Sequence, residues 1–457
     1  MKISQINFRL VMAVFAVDLL AMTGDSTMTW TSPVFPKLYS NDSSNPLGRP
    51  ITPDEDAWIG SLVNIGAMIG PLLNIFIAEK FGRKIGLLCI AIPHLVSFLT
   101  LAFARTIYLF YFARLIGGLS EGAGYALMPM YVSELAQDSN RGMISATLNC
   151  FWTFGNLIPY LIGPYLTVMQ LNIVLACLPA IFFFMFLTFA PETPHYLVHH
   201  NRMEEAERAL KSVRHIHDPD KIKAELEHIK STIDHEERGS MMDIVTKKPI
   251  KKAMTISLVL VVLSQMSGIN AILFYTQFIF NSSGTTIPDD ISSMIFGLVL
   301  FASSFTVPFT SDKLGRKKLM IISSFGTALS LLILGLYFYL LEQTDVDTDP
   351  IFWLPICSLL FYIIFFNFGL GPLVWTISSE LFPNAVKTKA AMILSSCFWL
   401  TSFVLTKVFN DMKSTFENCG TFWFYSAFAT LAGIFSIFQL PETKGKSFFE
   451  IQRMLEM

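Results

Sequence analysis

The chain has 457 residues, of which 53% are hydrophobic and only 15% charged, with a mean hydropathy of +0.52. That leaves too little polar surface to cover a soluble globule, so the solvent expected for most of the chain is a lipid bilayer. A formal net charge of -2 carries no basic excess, and no nucleic-acid partner is expected.

The apolar residues run in blocks long enough to cross a hydrocarbon layer of about 30 Å, which takes about 20 helical residues. They predict helices over 7–33, 57–78, 86–104, 107–131, 143–167, 171–190, 253–280, 291–311, 318–341, 351–379, 390–410 and 420–440, about twelve spans. The first block outruns a signal-peptide core and contains Asp18 and Asp25, so it reads as a retained helix. Basic residues gather in alternate loops: Lys80, Arg83 and Lys84; Arg141; Lys313, Arg316, Lys317 and Lys318; Lys387 and Lys389. The positive-inside rule places those loops and both termini in the cytoplasm. Sequons at Asn41 and Asn281 fall in the opposite loops, where glycosylation is possible chemistry.

Residues 192–251 form the one long polar stretch, with charges at helical spacing, and read as a short cytoplasmic helical linker. The six cysteines lie in or beside apolar blocks without C-x-x-C spacing, which predicts packing roles and no metal site. No nucleophile, nucleotide or cofactor constellation is present, so an enzyme is not expected.

Motifs recur in the same order on both sides of the linker. Glu79 to Lys84 returns as Asp312 to Lys317, Glu134 with Arg141 returns as Glu380 with Lys387, and Pro191-Glu192-Thr193 returns as Pro441-Glu442-Thr443. Three matches in register indicate an internal duplication. The expected organisation is an N-terminal six-helix bundle at 1–191, the linker at 192–251, a C-terminal six-helix bundle at 252–443 and a cytoplasmic tail at 444–457. Two such bundles with a solute site near the midplane are the architecture of an alternating-access carrier.

With Pro129-Met130-Tyr131, Gln265 to Ala271, and Gly371-Pro372 with Trp375 added, the motif set resembles the sugar porters of the major facilitator superfamily, in particular the insect facilitated trehalose transporters and facilitative glucose transporters. The resemblance covers nearly the whole chain. It implies an all-α membrane protein that carries a sugar or polyol through the plasma membrane by facilitative diffusion or with protons. It also implies a cytoplasmic latch formed by Arg83, Glu134, Arg141, Arg316, Glu380 and Lys387. The alternative is that the basic members only fix topology.

For the solute, the resemblance points to Gln265, Asn270 and Trp375, with Ser264 where relatives carry a first glutamine and Tyr275 at the outer gate. Amides suit sugars because each offers a donor and an acceptor to hydroxyls. Leu300, Phe398 and Val374 depart from the family pattern, and Asn149, Thr153 and Asn156 form a polar stripe that either replaces lost partners or joins helices. Asp25, Arg114 and Glu121 are charges within predicted spans, each expected to face inward and find a partner. Proton-coupled relatives pair a first-helix Asp with the fourth-helix Arg; Glu121 is not a family feature. A sensor on the same fold and a carrier of another small polar solute are the competing readings.

Overall fold

The computed structural model describes residues 7–42, 45–137, 141–214, 219–234, 240–284, 286–306, 314–446 and 448–456. Every regular element among them is helical. α1 (Phe8–Thr29) and α2 (Thr31–Tyr39) make up the first apolar segment, followed by α3 (Pro53–Phe81), α4 (Arg83–Phe103), α5 (Ile107–Leu135), α6 (Arg141–Ile162) and α7 (Val168–Phe189). The polar stretch folds as α8 (Pro194–His199), α9 (Met203–Val213), α10 (Pro219–Asp234) and α11 (Met241–Thr246). The second apolar series is α12 (Lys248–Met266), α13 (Ile269–Ser282), α14 (Asp289–Ser304), α15 (Arg316–Gln343), α16 (Leu354–Phe368), α17 (Pro372–Leu381) and α18 (Asn384–Phe438), with α19 (Phe448–Glu456) at the end.

In the second half of the chain two of the predicted spans are broken and two are joined, at identifiable residues. The span at 253–280 divides at Gly268, whose φ of +86° is easy only for glycine and whose added Cβ would meet the Tyr425 ring. The span at 351–379 divides around Gly369 to Gly371, and Pro372 opens the next helix at its first turn. The last two spans run together as α18 and change direction at Glu417, which adopts φ +59°. Residues 307–313, including Lys313 and the end of the span expected at 291–311, lie outside the described residues.

Beside a buried apolar core, the surface carries many large apolar side chains and the interior several charged and polar ones. Phe76, Tyr108, Phe184, Leu329, Phe361 and Phe438 are exposed, whereas Thr23, Ser26, Thr27, Arg114, Glu121 and Asp25 are buried. Lipid satisfies the first group; the second must find partners inside. Thr23, Ser26 and Thr27 do so by donating to the carbonyls of Leu19, Met22 and Thr23 one turn back.

Packing divides the chain into two compact units. The first comprises 1–27, 62–156 and 166–237; the second comprises 28–61, 157–165 and 238–457. In the first, α3 and α5 touch backbone to backbone through glycines one turn apart. A Cβ on Gly118 or Gly122 would run into the carbonyls of Val63 and Ala67, and one on Gly66 or Gly70 into those of Leu115 and Leu119. The helices α8 to α10 fold onto their own apolar cluster of Tyr196, Leu197, Leu210, Ile222, Leu226 and Ile229. Buried Arg214 joins that cluster to α5, donating to the Leu135 carbonyl at 2.7 Å and to Glu225 at 2.8 Å.

In the second unit, segments from the first half of the sequence are held by specific bonds. Thr31 Oγ1 donates to Phe274 O at 3.0 Å, Ser32 Oγ accepts from Gln277 N at 3.0 Å, and the Tyr160 hydroxyl donates to Leu273 O at 2.8 Å. Lys407 Nζ meets Asp54 at 2.6 Å.

Candidate functional site

Three groups of buried polar side chains lack the simple helix-back-bonding explanation. The first surrounds the Gly268 break. Asn270 Nδ2 donates to Gln265 Oε1 at 2.9 Å and to Ser402 Oγ at 2.6 Å. Gln265 is 1% exposed, and its Nε2 has no hydrogen-bond partner among the described residues. A buried amide donor left unmet costs about 1–3 kcal/mol, so a group of this kind is stable where a ligand or water completes it. Ser264, by contrast, is spent within the protein, donating to Leu370 O at 2.8 Å beside the break between α16 and α17. Trp375 on α17 is 39% exposed and lies 5.4 Å, centroid to centroid, from Phe398.

The second group lies in the first unit. Asp25 accepts from the Tyr125 hydroxyl at 2.6 Å and from Asn156 Nδ2. The Glu121 carboxyl packs on Gly24, and the charge of Asp25 acts on it. Two acids placed this near each other repel when both are ionised, a cost that a neighbouring cation or a shared proton offsets. Arg114, fully buried, donates to Thr27 O at 2.7 Å, and its charge acts on Glu121.

The third group is present twice. Gly82, at φ +109°, opens α4, and the Glu192 carboxylate accepts from the backbone amides of Arg83 at 3.0 Å and Lys84 at 3.1 Å. Gly315, at φ +88°, opens α15, and Glu442 accepts from Arg316 N at 2.9 Å and Lys317 N at 3.2 Å. Each acid covers the unpaired amides and positive end of a helix dipole, and a Cβ on either glycine would crowd that acid. Burial pushes the Glu192 carboxyl above the usual carboxylate value, against the opposing pull of those amides and of the Arg83 charge. The arginine of each turn then reaches a second acid: Arg83 Nε is 3.6 Å from Glu134, and Arg316 Nη2 is 3.2 Å from Glu380.

The chain matches the family model described as sugar (and other) transporter over residues 30–455. It is 33% identical to the facilitated trehalose transporter Tret1 of Apis mellifera ligustica, over 97% of this chain and 87% of that protein. The chain belongs to the sugar transporter family. It is 32% identical to Tret1 of Polypedilum vanderplanki, over 97% of this chain and 88% of the relative. Its fold is that of the xylose transporter XylE from E. coli in an inward open conformation, with a TM-score of 0.80 at 23% identity over 97% of this chain and 99% of the other. XylE bound to 6-bromo-6-deoxy-D-glucose, a major facilitator superfamily symporter, gives a TM-score of 0.74 at 24% identity over 97% and 99%. The expected all-α, twelve-span membrane fold of that superfamily is therefore the one observed.

Within this family frame, Gln265, Asn270 and Ser264 meet around one helix break, and Tyr275 lies farther along α13 with its hydroxyl on Asp56 at 2.7 Å. Asn149 is exposed on α6, while Asn156 of the same stripe serves Asp25. The guanidinium that reaches Glu380 is that of Arg316; Lys387 sits half-buried in the first turn of α18. The side chain of Arg141 lies outside the described residues. Asn41 is exposed in the loop after α2 and Asn281 in the last turn of α13; Ser43, third in the first sequon, lies outside the described residues. Sequence reasoning gave no role to Glu192, Glu442, Asp56 or Ser402. For the first two a signal existed: each acid recurs at the same place in both halves, as does the glycine-led helix start that it covers.

Proposed function

We propose that this protein carries a sugar or related polyol across the plasma membrane by alternating access, with cytoplasmic termini and bundles at 1–191 and 252–443 joined by the linker at 192–251. The carrying observation is the buried Gln265, which offers an unmet amide donor beside Asn270 at a broken helix in a chain alike, nearly end to end, to trehalose transporters. Broken helices in transporters expose polar backbone where solute binds. The Trp375 ring, partly exposed beside Phe398, supplies an apolar face against which a sugar ring can rest.

Gln265→Ala and Asn270→Ala are expected to raise the half-saturating concentration of a transported sugar about tenfold each, the worth of one or two hydrogen bonds, with membrane delivery near normal. Uptake of labelled trehalose, glucose and a polyol panel into proteoliposomes measures this, and unchanged half-saturation in both variants places the solute elsewhere.

The duplicated Gly-Arg-Lys turns act on rate. Arg83→Glu puts an acid against Glu134 and Arg316→Glu puts one against Glu380. Each is expected to slow turnover tenfold or more, with equilibrium binding of solute within twofold of wild type, because these residues bias conformations and do not touch cargo. Binding by calorimetry beside initial uptake rates tests the split; unchanged rates in both variants reduce the turns to topology signals.

A second reading, proton coupling, is favoured by the burial of two acids, Asp25 and Glu121, with Glu121 packed on Gly24 next to Asp25 and the Arg114 charge acting on it.

A further inference from the structure

We propose that Asp56 is the catch that holds the Tyr275 hinge of α13 shut, a positioning residue for the transport cycle. This rests on the transporter reading above, with Asp56 and Tyr275 at the outer end of the protein.

Asp56 lies in the first turn of α3 and is 3% exposed. Three donors converge on its carboxylate from three other helices of the same unit. The Tyr275 hydroxyl of α13 donates to Oδ1 at 2.7 Å. The Tyr39 hydroxyl of α2 donates to Oδ2 at 2.9 Å, and Asn410 Nδ2 of α18 to the same oxygen at 3.2 Å. The charge of Lys413 acts on the same carboxylate, its ammonium 4.3 Å above the Phe278 ring and 5.7 Å from Phe409. A buried carboxylate with three donors and a nearby cation is held strongly, and it loses all of them together if the helices part.

Two further features distinguish a catch from static packing. Tyr275 is the residue at which α13 kinks, with φ -114° and ψ 16° inside an otherwise helical run. The hydroxyl that reaches Asp56 therefore belongs to the hinge itself. On α3, one turn beyond Asp56, stands Gly60, where an added Cβ would sit 3.2 Å from that hydroxyl. The path of the tyrosine over α3 is clear because no side chain occupies position 60. The Tyr275 ring is sandwiched between Phe35, 5.3 Å away, and Phe409, 4.7 Å away, so the hydroxyl is aimed by apolar contacts that do not depend on Asp56.

The catch must release and re-form once per cycle, so its loss should shift the conformational balance and leave the solute site intact. Removing one charge-assisted hydrogen bond is expected to move that balance about tenfold, equivalent to about 1.4 kcal/mol. The variants are Asp56→Ala, Asp56→Asn, Tyr275→Phe and Tyr275→Phe with Asp56→Ala, in the full-length chain. Hydrogen exchange in detergent is expected to quicken about tenfold in α2 and α13 for Asp56→Ala and Tyr275→Phe, with α9 and α10 unchanged. In proteoliposomes given outside trehalose or glucose, saturating uptake should fall while half-saturation also falls, since the outward-open form accumulates. A merely structural residue would lower saturating uptake without tightening outside binding. The double variant should be no worse than Asp56→Ala alone, because both changes break one contact. Unchanged exchange in α2 and α13, or a double variant with summed effects, overturns the proposal. If Asp56→Ala does not fold, Tyr275→Phe keeps the ring stack and carries the test with Asp56→Asn. Failure of the wild type to take up either sugar refutes the solute assignment and leaves the exchange measurement to decide the catch.

Discussion

Gly122→Val is expected to abolish the folded protein. Gly118 and Gly122 on α5 face Val63 and Ala67 on α3, and Gly66 and Gly70 face Leu115 and Leu119 in return, so two helix backbones meet with no side chain between them. An added Cβ would fall on a carbonyl oxygen, and neither backbone can rotate aside without breaking its own ladder. The helices would have to separate by more than an ångström along several turns. Overpacking in a tolerant core costs about 1–3 kcal/mol, and a backbone clash gives way less easily than a side chain does. Size-exclusion chromatography in mild detergent should show loss of the monodisperse peak, with no cooperative melt. Gly142→Val, on α6, is the control, because a Cβ there meets nothing within 4 Å. Native elution and an unchanged melting temperature for Gly122→Val would show that α3 and α5 are free to move apart, contrary to the packing described.

The second large effect concerns Asp25 and Glu121. If these two buried carboxyls share one proton, any state of the carrier that wets or separates them frees it. A carrier using this alternation would take up one proton with each solute. Asp25→Asn, alone and with Glu121→Gln, is then expected to eliminate solute accumulation driven by an imposed proton gradient, a fall of tenfold or more, while solute exchange continues because it moves no net proton. The competing account makes the pair, with Arg114, Tyr125 and Asn156, a permanent joint between α1, α5 and α6. Absence of gradient-driven accumulation in the wild type sinks coupling and leaves the joint; variants that do not fold identify the joint directly.

Much of the architecture was legible in the sequence because hydrocarbon imposes a length and a composition on every crossing segment. The breaks were less legible. Gly268 lies in a span whose hydropathy continues across it, and only the positive φ and the Tyr425 ring show why the helix must stop there. Asp25 could be read as needing a partner, but Tyr125 and Asn156 come from helices whose rotation no periodicity supplies. Ser264 shows a further limit of sequence reasoning: its hydroxyl donates to the Leu370 carbonyl, a bond that exists only because two broken helices meet. Asp56 drew no attention because an acid in the first turn of a helix is ordinary; its meaning comes from Tyr39, Tyr275 and Asn410.

The docking of the linker determines where an optical reporter can be attached. Helices α8 to α10 share an apolar cluster and are pinned by Arg214 to the Leu135 carbonyl, while Asn7 Nδ2 ties the chain's start to the Ser212 carbonyl at 3.0 Å. A dye on exposed Arg208 therefore reports the rotational diffusion and displacement of the first unit, not of a loose tether. Its fluorescence anisotropy should match that of a dye placed on α4, and an energy-transfer pair made from those two sites should remain silent throughout turnover, which makes it an internal ruler for pairs placed elsewhere.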